Sequence, residues 1–198
     1  MKKGITMPIL AILIAATVLL GLSAGLSGVA AANAQKDHLN LLKMMSPGSE
    51  NFTLETYDGE DANIVSVHKG EKGYVIETVT YGYAGEITMF VGVNFDGKVT
   101  GLVVRDLSET YGLGREALTN VDFLKQFLNS SGAFEVSTSG ADAFSGATAE
   151  AEPEGDTVPV DALTGATVTS KAVVRCINSA VAYVTGADAA TAATSWGG

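Results

Sequence analysis

Cysteine is nearly absent from this chain: Cys176 stands alone in 198 residues. One thiol excludes an internal disulfide, a cysteine-based zinc site and an iron–sulfur cluster held by this chain alone. Histidine is almost as scarce, and the two that exist, His38 and His68, have no carboxylate or second histidine at ligand spacing, so no metal site is expected. Basic residues are few as well. Twelve Lys and Arg stand against 22 Asp and Glu, a net charge of −10. Such a balance argues against nucleic acid as a partner, because binding a phosphate backbone requires Lys and Arg to replace its counterions. No cluster of general acids, bases or nucleophiles stands out, and no catalytic residue is expected. The 46% hydrophobic content excludes a disordered chain.

Much of that apolar content lies at the front. No charged residue occurs from Gly4 to Gln35, and Ile9 to Ala32 is a nearly continuous apolar run. A bilayer core needs about 20 such residues, and a helix there satisfies its own backbone groups. The run therefore reads as a membrane anchor. The competing reading is a secretory signal peptide, with Lys2-Lys3 as its basic start and Ala32-Asn33-Ala34 as a small-residue cleavage site. A signal core is normally about 7–15 residues, which favours the anchor. Lys2 and Lys3 favour a cytoplasmic N-terminus, although Lys36 and Lys43 flank the other side. The expected arrangement is a single-pass protein of the cell membrane with its C-terminal body outside the cytoplasm. Gly21 and Gly25 have the spacing of close helix packing, or are simply common residues of membrane helices.

Residues 36–50 read as a connector, and strand patterns follow. Phe52–Tyr57, Ile64–His68, Tyr74–Tyr81, Ile87–Asn94 and Lys98–Arg105 are separated by short turns, Asp96-Gly97 being the strongest hairpin signal. No crossover-length helix separates these strands, so antiparallel pairing is expected. Val121–Leu128 places Phe123, Leu124, Phe127 and Leu128 on one helical face behind Thr119 and Asn120 as cap candidates. Ser130–Pro159 reads as loop. Ser170–Tyr183 is the clearest helix, with Val173, Ile177, Ala180 and Val184 in register and Gly186 as its stop. The fold class is α+β, with an antiparallel sheet first and helices later. Residues 187–198 read as a flexible tail.

Two glycine-bearing motifs remain. Glu109-Thr110-Tyr111-Gly112-Leu113-Gly114 follows the last strand of the sheet, and its glycines permit close approach of backbone to a ligand or simply a turn. Asp161-Ala162-Leu163-Thr164-Gly165-Ala166-Thr167-Val168-Thr169-Ser170 leads into the strongest helix. Hydroxyl residues around a glycine at a helix N-terminus suit a phosphate group. They equally suit ordinary capping by Thr169 or Ser170. A similar run, Asp142 to Glu150, has Glu150 where Thr169 stands and is followed by Pro153 and Gly155 instead of a helix, so the second copy is the functional candidate.

Together these two motifs, in this order behind one anchor, resemble the covalent-flavin subunit of the Rnf electron-transport complex over essentially the whole chain. A relative is the C subunit of the sodium-pumping NADH:quinone oxidoreductase. The resemblance implies an FMN-binding domain over 51–186, with a twisted antiparallel sheet and flanking helices, behind an N-terminal segment and transmembrane anchor over 1–35. It implies FMN joined by a phosphoester to Thr169, transferred from FAD by a flavin transferase. Thr164, Gly165, Ala166 and Thr167 would shape the phosphate pocket, and Glu109, Thr110, Gly112, Leu113 and Gly114 would lie near the flavin. Tyr111 stands where the family has proline, a departure that bears on the rigidity of that loop. The implied function is electron relay in an ion-translocating ferredoxin:NAD oxidoreductase, with the complex's other subunits and the membrane as partners. Ferredoxin and NAD would bind elsewhere in that complex. Alternatives are the quinone-reductase C subunit, a stand-alone anchored flavoprotein, and an anchored binding module without flavin.

Overall fold

The computed structural model describes residues 30–107, 118–137, 157–163 and 165–187. The motif at 109–114, the 142–155 loop, Thr164, the tail from 188 and the apolar run up to Val29 lie outside them. Contacts divide the chain into two units, Met1–Leu41 and Leu42–Gly198. Residues 30–45 are helical (α1). Among the described residues no helix is long and apolar enough to cross a membrane.

The second unit is built on a meander of five strands: β1 (Phe52–Glu55), β2 (Ile64–Gly70), β3 (Gly73–Tyr81), β4 (Glu86–Asn94) and β5 (Val99–Leu107). Each pairs antiparallel with the next, in sequence order. The expected topology is therefore present, and its cause is visible in β4, where Ile87, Met89, Val91 and Val93 alternate onto the main core. The β3–β4 ladder runs unbroken from Gly73↔Asn94 to Tyr81↔Glu86. The β4–β5 ladder shifts register between Thr88 and Met89 and again between Gly92 and Val93.

Helix α2 (Val121–Lys125) is shorter than the expected Val121–Leu128, the chain turning after Gln126. Asn120 caps it, its Oδ1 accepting from the N–H groups of Asp122 and Phe123, each at 3.0 Å. Phe123, Phe127 and Phe134 stack edge to face in the core, with centroids 5.4 and 5.1 Å apart. Leu128, expected on the same face, is exposed. Helix α3 (Thr167–Thr185) covers one face of the sheet through Val173, Cys176, Ile177 and Ala180, and ends at left-handed Gly186. Full burial of a side chain such as Val173 or Ile177 contributes about 1.5–3 kcal/mol.

The stretch read as loop contains two strands at its margins. β6 (Phe134–Ser137) and β7 (Val158–Asp161) pair in parallel, from Phe134↔Val158 to Ser137↔Asp161. Each has only four residues, too few for the alternation to stand out from Gly- and Ser-rich neighbours, and Pro159 argues against a strand unless it sits at an edge.

The opposite sheet face carries a second covering. Gly92 and Gly101 are register partners, and the chain at Met45 lies directly against both: a Cβ at Gly92 would collide with the Met45 carbonyl, and one at Gly101 would crowd Met45 more tightly than usual. Thr100 Oγ1 donates to the Met45 carbonyl at 2.6 Å. Lys72 N–H donates to Ser49 Oγ at 3.0 Å, so the connector is fastened to the β2–β3 turn as well. Leu42, Met45, Val75 and Phe90 are buried outside the main core.

Candidate functional site

The candidate site is the turn between β7 and α3. β7 delivers Asp161, whose N–H donates to Gln126 Oε1 at 2.9 Å and whose carbonyl accepts from Gln126 Nε2 at 3.4 Å. Leu163 then begins a tight reversal. Ala166 N–H donates to the Leu163 carbonyl at 2.9 Å, and Gly165 adopts φ +78°, a left-handed conformation that a side chain would strain. Leu163 N–H donates to Ser170 Oγ at 3.3 Å, tying the entrance of the turn to the first turn of the helix.

Helix α3 starts without a cap. Its N-cap residue is Ala166, which has no side chain able to accept, and its first turn contains no acidic residue. The first N–H groups of a helix have no intrahelical acceptor, and the dipole adds partial positive charge there. Thr169 is 1% exposed, and its Oγ1 is buried with no hydrogen-bond partner. A buried, unsatisfied hydroxyl costs about 1–3 kcal/mol. The capping alternative is thus not realised: the Thr169 hydroxyl has no partner, and the Ser170 hydroxyl accepts from Leu163 N–H instead of a first-turn amide. The amides of a helix's first turn, which have no intrahelical acceptor, beside an unpaired hydroxyl and with no acidic residue in that turn, suit the oxygens of a phosphate ester.

Of the residues expected here, Gly165 is exposed, Ala166 buried, Thr167 half-buried and Thr169 buried, all within one turn. Thr164 lies outside the described residues, as do Glu109, Thr110, Gly112, Leu113 and Gly114. β5 ends at Leu107, paired with Ile87, two residues before the first motif. That end of the sheet also carries Tyr81, whose carbonyl accepts from Arg175 Nη2 of α3 at 3.3 Å. Gln126 was invisible to pattern reading, because a side chain that bonds a backbone 35 positions away leaves no periodicity. Cys176 is buried, and burial pushes its thiol up to about 11, against a lowering hydrogen bond from Thr78. It packs as a small apolar residue. No group of His, Cys, Asp and Glu able to hold a metal occurs among the described residues.

Residues 82–182 match the family model of the FMN-binding domain. The chain is 34% identical over 129 residues to the G subunit of the Na(+)-translocating ferredoxin:NAD(+) oxidoreductase complex of Acetobacterium woodii, covering 65% of this chain and 54% of that protein. It is 34% identical over 122 residues to the G subunit of the proton-translocating ferredoxin:NAD(+) oxidoreductase complex of Clostridium ljungdahlii, covering 61% and 58%. With the G subunit of the ion-translocating oxidoreductase complex of Methanosarcina acetivorans, identity is 30% over 160 residues, covering 77% and 76%. The match thus spans little more than half the length of the first two relatives.

Proposed function

This chain belongs to the FMN-binding domain family that includes the G subunits of ion-translocating oxidoreductases, and we propose that it relays electrons in such a complex through FMN esterified to Thr169. The observation that carries this reading is the buried, unpartnered Thr169 hydroxyl at an uncapped helix start. Bound there, FMN would supply one- and two-electron exchange, while the protein supplies position and electrostatics.

The acceptor chemistry is a group transfer. Thr169 Oγ1 forms a bond to the flavin-side phosphorus of FAD, the pyrophosphate bond breaks, AMP leaves, and the hydroxyl proton passes to solvent. The first-turn amides of α3 would then face the phosphate oxygens, with Gly165, Ala166 and Thr167 forming the turn around them and Thr164 beside it. Burial of Thr169 has two consequences. Transfer requires local opening of the turn, and the finished ester is shielded from water. Glu109, Thr110, Gly112, Leu113 and Gly114 are assigned as flavin neighbours on the strength of the family motif.

The reading extends to topology: the Ile9–Ala32 run anchors the chain, and the body works outside the cytoplasm beside the complex's other membrane subunits. A covalent cofactor makes sense there, since flavin held by contacts alone would be lost to the dilute exterior. Ferredoxin and NAD bind other subunits.

Two experiments test this. The chain is co-expressed with a flavin transferase and denatured, and flavin fluorescence is followed on the polypeptide. Wild type and Thr148→Val carry the label and Thr169→Val does not; label that survives in Thr169→Val overturns the assignment. A reporter fused after Gly198 is active outside the cytoplasm, and activity confined to a cytoplasmic reporter overturns the topology.

A further inference from the structure

We propose that Gln126 is a positioning residue for flavin transfer, holding the acceptor turn from outside it; this role rests on the reading of Thr169 as the acceptor. Its carboxamide meets Asp161 at two points, N–H to Oε1 at 2.9 Å and carbonyl to Nε2 at 3.4 Å. Asp161 is the last residue of β7, a strand whose backbone pairs only with β6 among the described residues. Gln126 thus supplies the contacts that a further strand would make, at the point where the chain leaves for Thr169. Its own place is set by its neighbours. Fully buried Phe127 is the next residue, and Gln126 N–H donates to the Phe123 carbonyl at 3.3 Å. At the other end the turn is held by Ser170 Oγ on Leu163 N–H. Between these anchors the turn bends at Gly165 and Ala166, which have no side chains able to hydrogen-bond, and is closed by Ala166 N–H on the Leu163 carbonyl at 2.9 Å, so a shift at Asp161 is passed on to the residues that lead to Thr169.

The clamp is solvent-accessible, and hydrogen bonds in that setting contribute little to global stability. Their effect falls on orientation, and small displacements of a reacting hydroxyl are costly to rate.

The test uses the full chain with a flavin transferase and FAD, measuring the initial rate of covalent labelling against acceptor concentration. Gln126→Ala labels about tenfold more slowly at saturation, with KM within about twofold of wild type. Its Asp161 and Leu163 amides exchange hydrogen faster, while its unfolding midpoint stays close to wild type. Gln126→Glu keeps an acceptor for Asp161 N–H and loses the donor to its carbonyl. Its rate relative to wild type at the same pH recovers as pH falls from 7 to about 4, where an ordinary glutamate carboxyl is more than half protonated and donates again. Should Gln126→Ala fail to fold, this pH-dependent recovery carries the test. Equal rates in labelled wild type and both variants overturn the role of Gln126 alone, as do rates that fall only with the folded fraction. A wild-type chain that takes no label overturns the acceptor reading and this role with it.

Discussion

The Asn178 carboxamide holds both backbone groups of Phe134: its Oδ1 accepts from Phe134 N–H at 2.8 Å and its Nδ2 donates to Phe134 O at 2.9 Å. A helix side chain thereby completes the hydrogen bonding of a strand that has one partner among the described residues. Asn178 is buried, so neither backbone group has water as a substitute. Asn178→Ala should therefore destabilise the domain by about 2–4 kcal/mol, read from the shift of the urea midpoint. A shift below about 0.5 kcal/mol would show that solvent or another group replaces the clamp.

The paired glycines Gly92 and Gly101 make a second prediction. A Cβ at Gly92 would strike the Met45 carbonyl, whereas at Gly101 the nearest atoms are the Met45 Cα at 3.0 Å and its flexible Sδ and Cε at 3.1 and 3.2 Å. Gly92→Ala should cost about 1–3 kcal/mol, and Gly101→Ala clearly less, because a methionine side chain moves more readily than a carbonyl. Chemical denaturation of the two variants ranks them, and the reverse order would contradict the docking of Met45 on this face.

Glu71 links the segment after the connector to the β2–β3 turn. Asn51 Nδ2 donates to its carboxylate at 2.9 Å, Asn51 N–H at 3.2 Å and Glu50 N–H at 2.8 Å. These bonds, the Asn51 side chain first, lower its pKa from 4.5 to about 2. Because the folded value lies below the unfolded one, this stabilisation is present above pH 4.5 and disappears as pH falls towards 2. Glu71→Gln should lose a part of the acid-induced loss of stability seen in wild type over that window, when unfolding midpoints are followed from pH 5 to about 2. Identical pH profiles would contradict the assignment.

Cys176 should be inert in the native protein. With a thiol at about 11, roughly a thousandth is thiolate at pH 8, and burial denies a reagent access. Alkylation at pH 8 should run at least about a hundredfold slower than for a free cysteine and accelerate with denaturant. Rapid labelling of the folded chain would contradict its place in the core.

What the sequence disclosed follows from where the patterns are strong. The alternation of Ile87, Met89, Val91 and Val93 and the helical spacing of Val173, Ile177 and Ala180 bury one face each, so meander and helix were legible. β6 and β7 were not, since strands of four residues carry too little alternation. The seat of Met45 was hidden because Gly92 and Gly101 read individually as weak strand residues and acquire meaning only as register partners. At the proposed site, the choice of Thr169 rests on its motif. That Ala166 would occupy the N-cap and leave the Thr169 hydroxyl unpaired depends on the bends at Gly165 and Ala166, which composition does not encode.

The central claim is a covalent bond at one side chain, and peptide-resolved mass measurement on protein purified from its native membrane tests it most directly. The account predicts that the peptide containing Thr169 carries the mass of FMN less one water, placed by fragmentation on that threonine. A bare Thr169 peptide, or flavin located on another residue, would contradict it.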